Sequence, residues 1–520
     1  MSSDKFKEEI QNAYSFAGKS ILLGGPVYDK QPVKRLSVKM PLATVNRHGL
    51  IAGATGTGKT KSIQRFAEAL SEQGVNVLLM DIKGDISGIS KAGTENPKIK
   101  ERMDLIGIPW TPKEYPTELM TISNEKGLRL RATVSEFGPL LFSKILELNE
   151  NQEGAVAIIF KYCDDKKMPL LDIRDFRAAL QHLAGGEGKK EIEKNYGAIS
   201  PASSGVIMRK LLELEQQGGD KFFGEKSFEV EDLLQKDSAG NAYINILRLT
   251  DIQDRPKLFS TFMLCLLAEI YSKFPETGDK AEPKLVIFID EAHLIFKEAS
   301  KALMQQLETI IKLIRSKGVG IYFCTQAPTD IPDIILSQLG TKIQHALRAF
   351  TAKDRKDIKL VAENFPFTDH YKTDELITEL GIGEALVTVL NEKGIPTPLV
   401  HTMMCAPNSR MDILTSAEQE EKISSSRIAR EYNEVIDRDS AYEILNRKIS
   451  GSVEDKGTDA VHEVPSQEEK SSGIGDTIKS IANSSVGKTI LREVTRGIFG
   501  VLIGKAPRRT STRRSGGFFS

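Results

Sequence analysis

Long hydrophobic runs are missing from this chain of 520 residues. No stretch approaches the roughly twenty apolar residues that a membrane-spanning helix needs, so we predict no integral membrane span. The first residues, MSSDKFKEEIQNAY, are polar and charged where a secretory signal has an apolar segment. The sequence therefore predicts a cytoplasmic protein.

Cysteine is scarce, and neither sign of charge is in excess. The 4 cysteines form no CxxC or Cys/His cluster; they are Cys163, Cys265, Cys324 and Cys405. Their spacing argues against a structural zinc site and a disulfide framework, and favours buried free thiols. Lys plus Arg and Asp plus Glu both number 71, so the overall charge indicates no polyanionic partner.

Three apolar runs end in acidic or polar residues. They are VNVLLMDIK (75–83), KLVIFIDEAH (284–293) and GVGIYFCTQ (318–326). Such runs are typical of buried parallel strands. Residues 59–74 and 301–318 have helical periodicity and end at Gly, which places helices before the first and third runs. The alternation predicts an α/β fold with a doubly wound, mostly parallel sheet.

Composition and periodicity divide the chain into seven predicted segments. They are a short β-rich N-terminal segment (1–45), the first part of an α/β core (46–136), a mostly helical insertion (137–240), the second part of the core (241–406), a helical extension (407–450), a flexible linker (451–483) and a basic amphipathic tail (484–520). The linker has too few large apolar residues to pack. A strand at 241–252 is expected to return to the sheet after the insertion.

The tail differs in charge from the rest of the chain. It contains eight Lys and Arg residues against Glu493 alone, with apolar residues from Ile490 to Leu502 along one predicted helix face. A basic amphipathic helix of this kind can bind nucleic acid, a membrane surface or an acidic partner. The sequence leaves these three open.

A glycine-rich motif follows the apolar run HGLIA and precedes an amphipathic helix. It matches GxxxxGK[ST] and consists of Gly53, Ala54, Thr55, Gly56, Thr57, Gly58, Lys59 and Thr60. In such a loop the backbone amides face phosphates, Lys59 reaches the β and γ phosphates, and the Thr60 hydroxyl ligates Mg²⁺. A chance glycine-rich turn is the alternative. The motif and its context predict binding of ATP with Mg²⁺.

The run LVIFIDEAH delivers two acids to the end of a strand. Asp290 is expected to hold the Mg²⁺ shell and Glu291 to polarise the attacking water. A surface pair that caps the next helix is the alternative. Together with the glycine-rich motif, the acids predict ATP hydrolysis.

Other polar residues are weaker candidates. Gln326, after Thr325 at the end of the third run, is placed to sense the γ phosphate, although a loop-capping amide has the same pattern. Asp81 and Asp85 flank a turn at the same edge of the predicted sheet and could order the site or lie on the surface. His293 is more often structural in such a context.

These motifs, in their order, resemble the HerA/FtsK superfamily of ring-forming ATPases, and most closely its bacterial HerA-like, YjgR-type branch. The carrying elements are GATGTGKT, LLMDIKGDIS, VIFIDEAH, RSKGVGIYFCTQ and IPDIILSQLGTKIQHALRA, with GEALVTVL (383–390) as the final strand. The resemblance covers roughly residues 20–405. It implies a RecA-like P-loop NTPase core.

The resemblance also implies a homo-hexamer with ATP between subunits, completed by an arginine of the neighbour, here Arg315. Arg348 is a second candidate for that arginine. DNA is the implied substrate, with helicase or translocase activity, and a nuclease is a further partner implied by the family. The N-terminal segment is too short for the β-barrel of archaeal relatives, which counts against that partner. An ATPase acting on a protein or membrane-associated partner, and a nucleotide-dependent scaffold, are the alternatives.

Overall fold

The structure of the protein is a computed structural model that describes residues 3–185, 188–278, 282–297, 301–434, 436 and 438–454. The predicted basic tail lies outside these residues, as does the predicted linker beyond residue 454. Residues 1–449 form one compact unit.

The described residues contain thirteen strands in one sheet. The strands are β1 (Ser20–Tyr28), β2 (Gln31–Pro32), β3 (Val38–Pro41), β4 (Gly49–Ala52), β5 (Asn76–Asp81), β6 (Thr117–Thr121), β7 (Leu128–Arg129), β8 (Ile244–Arg248), β9 (Leu285–Ile289), β10 (Val319–Thr325), β11 (Thr341–Gln344), β12 (Glu384–Thr388) and β13 (Val400–Met404). Their order is β2-β1-β13-β12-β11-β4-β10-β9-β5-β8-β6-β7, and β3 pairs with β1. All pairs from β11 to β7 are parallel, whereas the pairs from β11 back to β2 are antiparallel.

Eighteen α-helices lie in the described ranges. They are α1 (Ser3–Ala13), α2 (Lys59–Glu72), α3 (Pro97–Ile106), α4 (Val134–Ile145), α5 (Glu150–Asp165), α6 (Ile173–Gly185), α7 (Gly188–Asn195), α8 (Pro201–Gln216), α9 (Gly219–Phe222), α10 (Pro256–Lys273), α11 (His293–Lys297), α12 (Lys301–Ile314), α13 (Asp333–Leu336), α14 (Ala352–Glu363), α15 (Thr373–Glu379), α16 (Ser416–Ser425), α17 (Arg427–Asn433) and α18 (Ala441–Glu454). Helices α4 to α9 lie between β7 and β8, and α4 begins three residues before the helical insertion predicted at 137–240.

The central strands are apolar throughout because both faces of the sheet are covered. Alternate residues of β9 and β10 enter two different cores: Ile287 and Phe323 lie with α10 and α12, whereas Phe288 and Tyr322 pack against Phe66 of α2. Burial on both faces requires apolar side chains at consecutive positions. The predicted α/β class with a mostly parallel sheet is confirmed.

The antiparallel side of the sheet departs from the sequence prediction. GEALVTVL is not the final strand, because β13 follows β12 and pairs with both β12 and β1. The N-terminal segment also begins with a helix, α1, whose Phe6 and Ile10 are fully buried. Both features depend on contacts between distant parts of the chain, which local patterns do not specify.

The cysteines form no disulfide, and three of them are buried while Cys265 is half-buried. Within the ranges that the structure describes, His, Cys, Asp and Glu side chains form no group of three suited to a metal ion. In the same ranges, no helix is both long and apolar enough to cross a membrane.

Candidate functional site

The glycine-rich motif connects the carboxyl end of β4 to the first turn of α2. Gly53, Gly56 and Gly58 have φ angles of 155°, 77° and 107°, a region that side chains with a Cβ rarely adopt. Their conformations turn the loop back over the start of α2. The loop therefore has the backbone that a phosphate-binding loop needs, at the amino end of a helix of 14 residues.

Two segments from beyond β11 hold the loop from behind. A Cβ on Gly53 would lie 2.5 Å from the Cβ of His345, and a Cβ on Gly58 would lie 2.9 Å from the backbone nitrogen of Gly383. The amide of Gly383 donates to the Thr57 carbonyl at 2.9 Å. Glycine at these positions is thus required by close packing as well as by φ.

Lys59 folds back onto its own loop. Its Nζ donates to the carbonyl oxygens of Gly53 and Ala54 at 2.5 and 3.1 Å. Burial lowers the pKa of Lys59, and the nearby ammonium of Lys83 lowers it further. An anion beside Lys59 would relieve both effects, so the electrostatics of this position favour phosphate.

The predicted Mg²⁺ ligand Thr60 contacts a carboxylate. The Thr60 hydroxyl donates to Oδ2 of Asp85 at 3.3 Å. Oδ1 of Asp85 and Oδ2 of Asp290 are buried without a hydrogen-bond partner in the described part of the chain. Burial raises the pKa of Asp290 to about 6, despite the opposing charge of Lys83. Hard oxygen donors with unsatisfied lone pairs fit Mg²⁺ and its water shell.

Asp81 has a different role from Asp85. It ends β5, is fully buried, and accepts hydrogen bonds from the amides of Gly84, Asp85 and Ile86 at 2.7, 3.2 and 3.2 Å. Burial, together with the charge of Asp85, raises the pKa of Asp81 to about 7. Asp81 therefore shapes the turn that presents Lys83 and Asp85.

Glu291 follows β9 with a φ of 44°, which is strained for a residue with a side chain. Its Oε1 pairs with Nζ of Lys83 and lies 3.4 Å from Nε2 of Gln326. Its Oε2 lies 3.3 Å from Nδ1 of His293 but has no hydrogen-bond partner among the described residues. Burial alone would raise the pKa of Glu291, but the bond and charge of Lys83 outweigh it and hold the pKa below its usual value.

The two polar residues that end the third run point to different partners. Thr325 is buried and donates to the carboxylate of Asp330 at 2.6 Å, which fixes the following loop. Gln326 is exposed and reaches Glu291. The structure thus places Gln326 beside the predicted base.

The two candidate arginines lie at opposite ends of the parallel strands. Arg315 lies four residues before β10, whose seven residues span about 23 Å, so it is remote from the loop of its own chain. Arg348 follows the carboxyl end of β11, which is the end where the loop lies, and donates to the carbonyl of Thr378 at 2.9 Å.

Sequence reasoning missed three residues of this site. Lys83 carries no motif of its own beyond its place in KGD. His345 and Gly383 reach the loop only because β11 pairs with β4 and β12 pairs with β11. Nδ1 of His345 donates to the Glu384 carbonyl at 2.9 Å, and its buried Nε2 has no partner within the described ranges. A buried, apolar-flanked His next to a predicted strand is too common a pattern to have identified it.

The parallel sheet, the glycine-rich loop at its carboxyl edge and the acids on the adjoining strands define a P-loop ATPase. More narrowly, the chain belongs to the helicase HerA-like C-terminal family, whose model matches residues 28–509. The resemblance drawn from the sequence motifs is thereby confirmed.

Two relatives and one solved structure illustrate the similarity. The chain is 22% identical over 385 residues to the DNA double-strand break repair helicase HerA of Saccharolobus solfataricus, covering 73% of this chain and 68% of that protein. It is 24% identical over 401 residues to the DNA import protein CedB of Sulfolobus acidocaldarius, covering 76% of this chain and 58% of that protein. The bacterial conjugative coupling protein TrwBdeltaN70 shares the fold, with a TM-score of 0.51, 12% identity and coverage of 78% and 94% of the two chains.

Proposed function

We propose that this protein is an ATP-driven motor that assembles as a homo-hexameric ring and moves along double-stranded DNA. The observation that carries the chemical part is Glu291, a carboxylate close to Lys59 of the glycine-rich loop, with one oxygen that accepts no hydrogen bond among the described residues. The DNA part is supported by family membership and by two relatives whose names refer to DNA repair and DNA import.

The residues of the loop fit ATP bound with Mg²⁺. The backbone amides of residues 53–60 and Lys59 would bind the phosphates, and Thr60 and Asp290 would hold Mg²⁺, with Asp85 beside Thr60. Mg²⁺ bound there would neutralise charge on the phosphates. Glu291 accepts the proton of the attacking water through Oε2, the oxygen that accepts no hydrogen bond in the described ranges.

A ring explains the location of Arg315. Arg315 lies at the amino end of β10, whereas the loop follows the carboxyl end of β4. Arg315 would therefore reach a transferring phosphate only in a neighbouring subunit. Arg348 lies on the loop side and is the matched comparison. We assign the finger role to Arg315.

Steady-state ATP hydrolysis, measured with and without linear duplex DNA at low and moderate salt, tests the motor. Duplex DNA is expected to stimulate hydrolysis, and the stimulation is expected to fall as salt screens the phosphate contacts. Glu291→Gln should lower kcat by roughly 100-fold or more. The control Glu276→Gln, at a side chain that is 68% exposed, should leave kcat unchanged. Hydrolysis that is indifferent to DNA at every salt concentration would refute the DNA motor.

An ATPase that acts on a protein or a membrane-associated partner is the second candidate, favoured by the basic and apolar residues 484–520. Deleting these residues separates the two. The second function holds if the deletion abolishes binding to anionic vesicles and DNA stimulates hydrolysis in neither the full-length protein nor the deletion variant. If DNA stimulation persists in the deleted form, the motor stands without the tail.

A further inference from the structure

Glu291 is held from both sides by the strands that flank β9. On one side β5 pairs with β9, and the turn after β5 brings Nζ of Lys83 to Oε1 of Glu291. On the other side β10 pairs with β9, and Gln326 after β10 brings its Nε2 to within 3.4 Å of the same oxygen. Both donors therefore reach one oxygen of Glu291 from opposite directions.

The backbone fixes each member of this arrangement. The Lys83 turn is held by the Asp81 carboxylate, which accepts from three successive amides beginning with Gly84. Gly84 has a φ of 76°, which reverses the chain directly after Lys83. Glu291 has a strained φ of its own, and such strain persists only where the surroundings enforce the conformation.

The two oxygens of Glu291 consequently differ. Oε1 accepts from Lys83 and Gln326, whereas Oε2 is buried and accepts no hydrogen bond among the described residues. His293 lies 3.3 Å from Oε2 without making a hydrogen bond. A carboxylate that accepts a proton from water needs one free lone pair pointing at that water, and a fixed orientation.

We infer that Lys83 is a positioning residue, which pins Oε1 of Glu291 so that Oε2 is presented to the attacking water. The inference rests on the proposed role of Glu291 as the base. It assigns to Lys83 a function distinct from that of Lys59, which lies on the glycine-rich loop itself.

A purely structural role for Lys83 accounts poorly for its surroundings. Its side chain is 35% exposed, whereas the Glu291 side chain that it meets is only 8% exposed. The pair is also directed at a carboxylate in the site, while the fold of the turn is already secured by Asp81. Orientation of Glu291 is what Lys83 adds.

The test compares steady-state ATP hydrolysis of Lys83→Met, Lys83→Arg and the control Lys91→Met in the full-length protein. Lys91 follows the same turn but forms an exposed pair with Glu421 at 3.8 Å. Lys83→Met should lower kcat by about 10- to 100-fold, since loss of orientation affects the reacting complex, and leave KM for ATP within about threefold. Lys83→Arg should restore most of kcat, and Lys91→Met should match wild type.

Two further measurements separate the inference from the proposed function and from misfolding. Lys83→Met should lower the unfolding temperature somewhat, because the buried Glu291 carboxylate loses its ion-pair partner, so hydrolysis is measured below the unfolding transition of every variant. Glu291→Gln should itself be inactive; if it hydrolyses ATP normally, the role of Glu291 fails and this inference with it. If Glu291→Gln is inactive while Lys83→Met keeps kcat, or raises KM alone, only the role of Lys83 is overturned.

Discussion

The ring of His48 joins Ile321 of β10 to Ile311 of α12. Nδ1 of His48 accepts a hydrogen bond from the Ile321 amide at 3.0 Å, so Nε2 carries the proton and donates to the Ile311 carbonyl at 2.9 Å. Both bonds are buried, and the bond that Nδ1 accepts from the Ile321 amide requires the neutral ring. Burial lowers the pKa of His48 to about 4, although the hydrogen bond to the Ile311 carbonyl acts to raise this pKa.

Acid should therefore destabilise the protein through His48. Because the folded-state pKa lies below the unfolded value of 6.5, the unfolded state binds the proton first, and stability falls as pH drops from about 6.5 towards 4. His48 alone should remove about 2 kcal/mol of unfolding free energy between pH 8 and pH 5. Urea unfolding at the two pH values measures the loss.

His345, whose pKa burial also lowers to about 4, adds to the acid loss in the wild type. The variant His48→Gln isolates the contribution of His48. It should be less stable than wild type at pH 8, since two buried bonds change, but should lose less on going to pH 5. An equal loss in both proteins would show that His48 does not titrate as described.

The close packing behind the loop predicts a defect in Gly58→Ala. The new Cβ would lie 2.9 Å from the Gly383 amide nitrogen, at a φ of 107°. We expect nucleotide affinity to fall at least tenfold, by order of magnitude, because the loop must shift away from Gly383. Equilibrium titration with a fluorescent ATP analogue measures it.

Gly154→Ala is the matched control for that substitution. Gly154 lies inside α5, and no atom stands within 4 Å of the added Cβ. Alanine in an open helical position should leave nucleotide binding unchanged and raise the unfolding free energy by up to about 1 kcal/mol. Equal nucleotide affinity in the two variants would contradict the packing argument.

Asp85 should set the magnesium requirement. Because Asp85 accepts from the Thr60 hydroxyl and has a buried oxygen without a described partner, Asp85→Asn should raise the Mg²⁺ concentration for half-maximal hydrolysis by about tenfold. Titration of Mg²⁺ at saturating ATP gives this value. The exposed Asp104→Asn should behave as wild type, and an unchanged Mg²⁺ requirement in Asp85→Asn would remove Asp85 from the metal site.

Action of Arg315 on a neighbouring subunit can be tested by mixing. Arg315→Ala and Lys59→Ala should each be nearly inactive, but mixed rings should regain activity, because intact loops then meet intact arginines across some interfaces. Hydrolysis is measured as the ratio of the two variants changes. The control mixes Arg348→Ala with Lys59→Ala. If hydrolysis recovers only in that mixture, Arg348 rather than Arg315 acts on the neighbouring subunit.

The sequence predicts the centre of the molecule well for physical reasons. β5, β9 and β10 are buried on both faces, so each is a continuous apolar run, and the loop requires Gly53, Gly56 and Gly58 because of their φ angles. Both requirements concern residues that are close together in the chain. Each can therefore be recognised in a single sequence.

The surroundings of the loop are not predictable in this way. His345 and Gly383 reach the loop through the pairing of β11 with β4 and with β12, and Lys83 meets Glu291 through the pairing of β5 with β9. Each contact joins residues far apart in the chain. Their side chains are ordinary for a surface turn or a strand end until the strand order is known.

The pairing of β1 with β13 has a consequence for biosynthesis. Residues Gly24 to Pro26 hydrogen-bond across the sheet to residues Thr402 to Met404. During translation this edge of β1 emerges from the ribosome long before its partner strand is made. Exposed strand edges invite pairing with other chains. Chaperone dependence and aggregation of nascent chains should therefore be most acute until residue 404 has emerged.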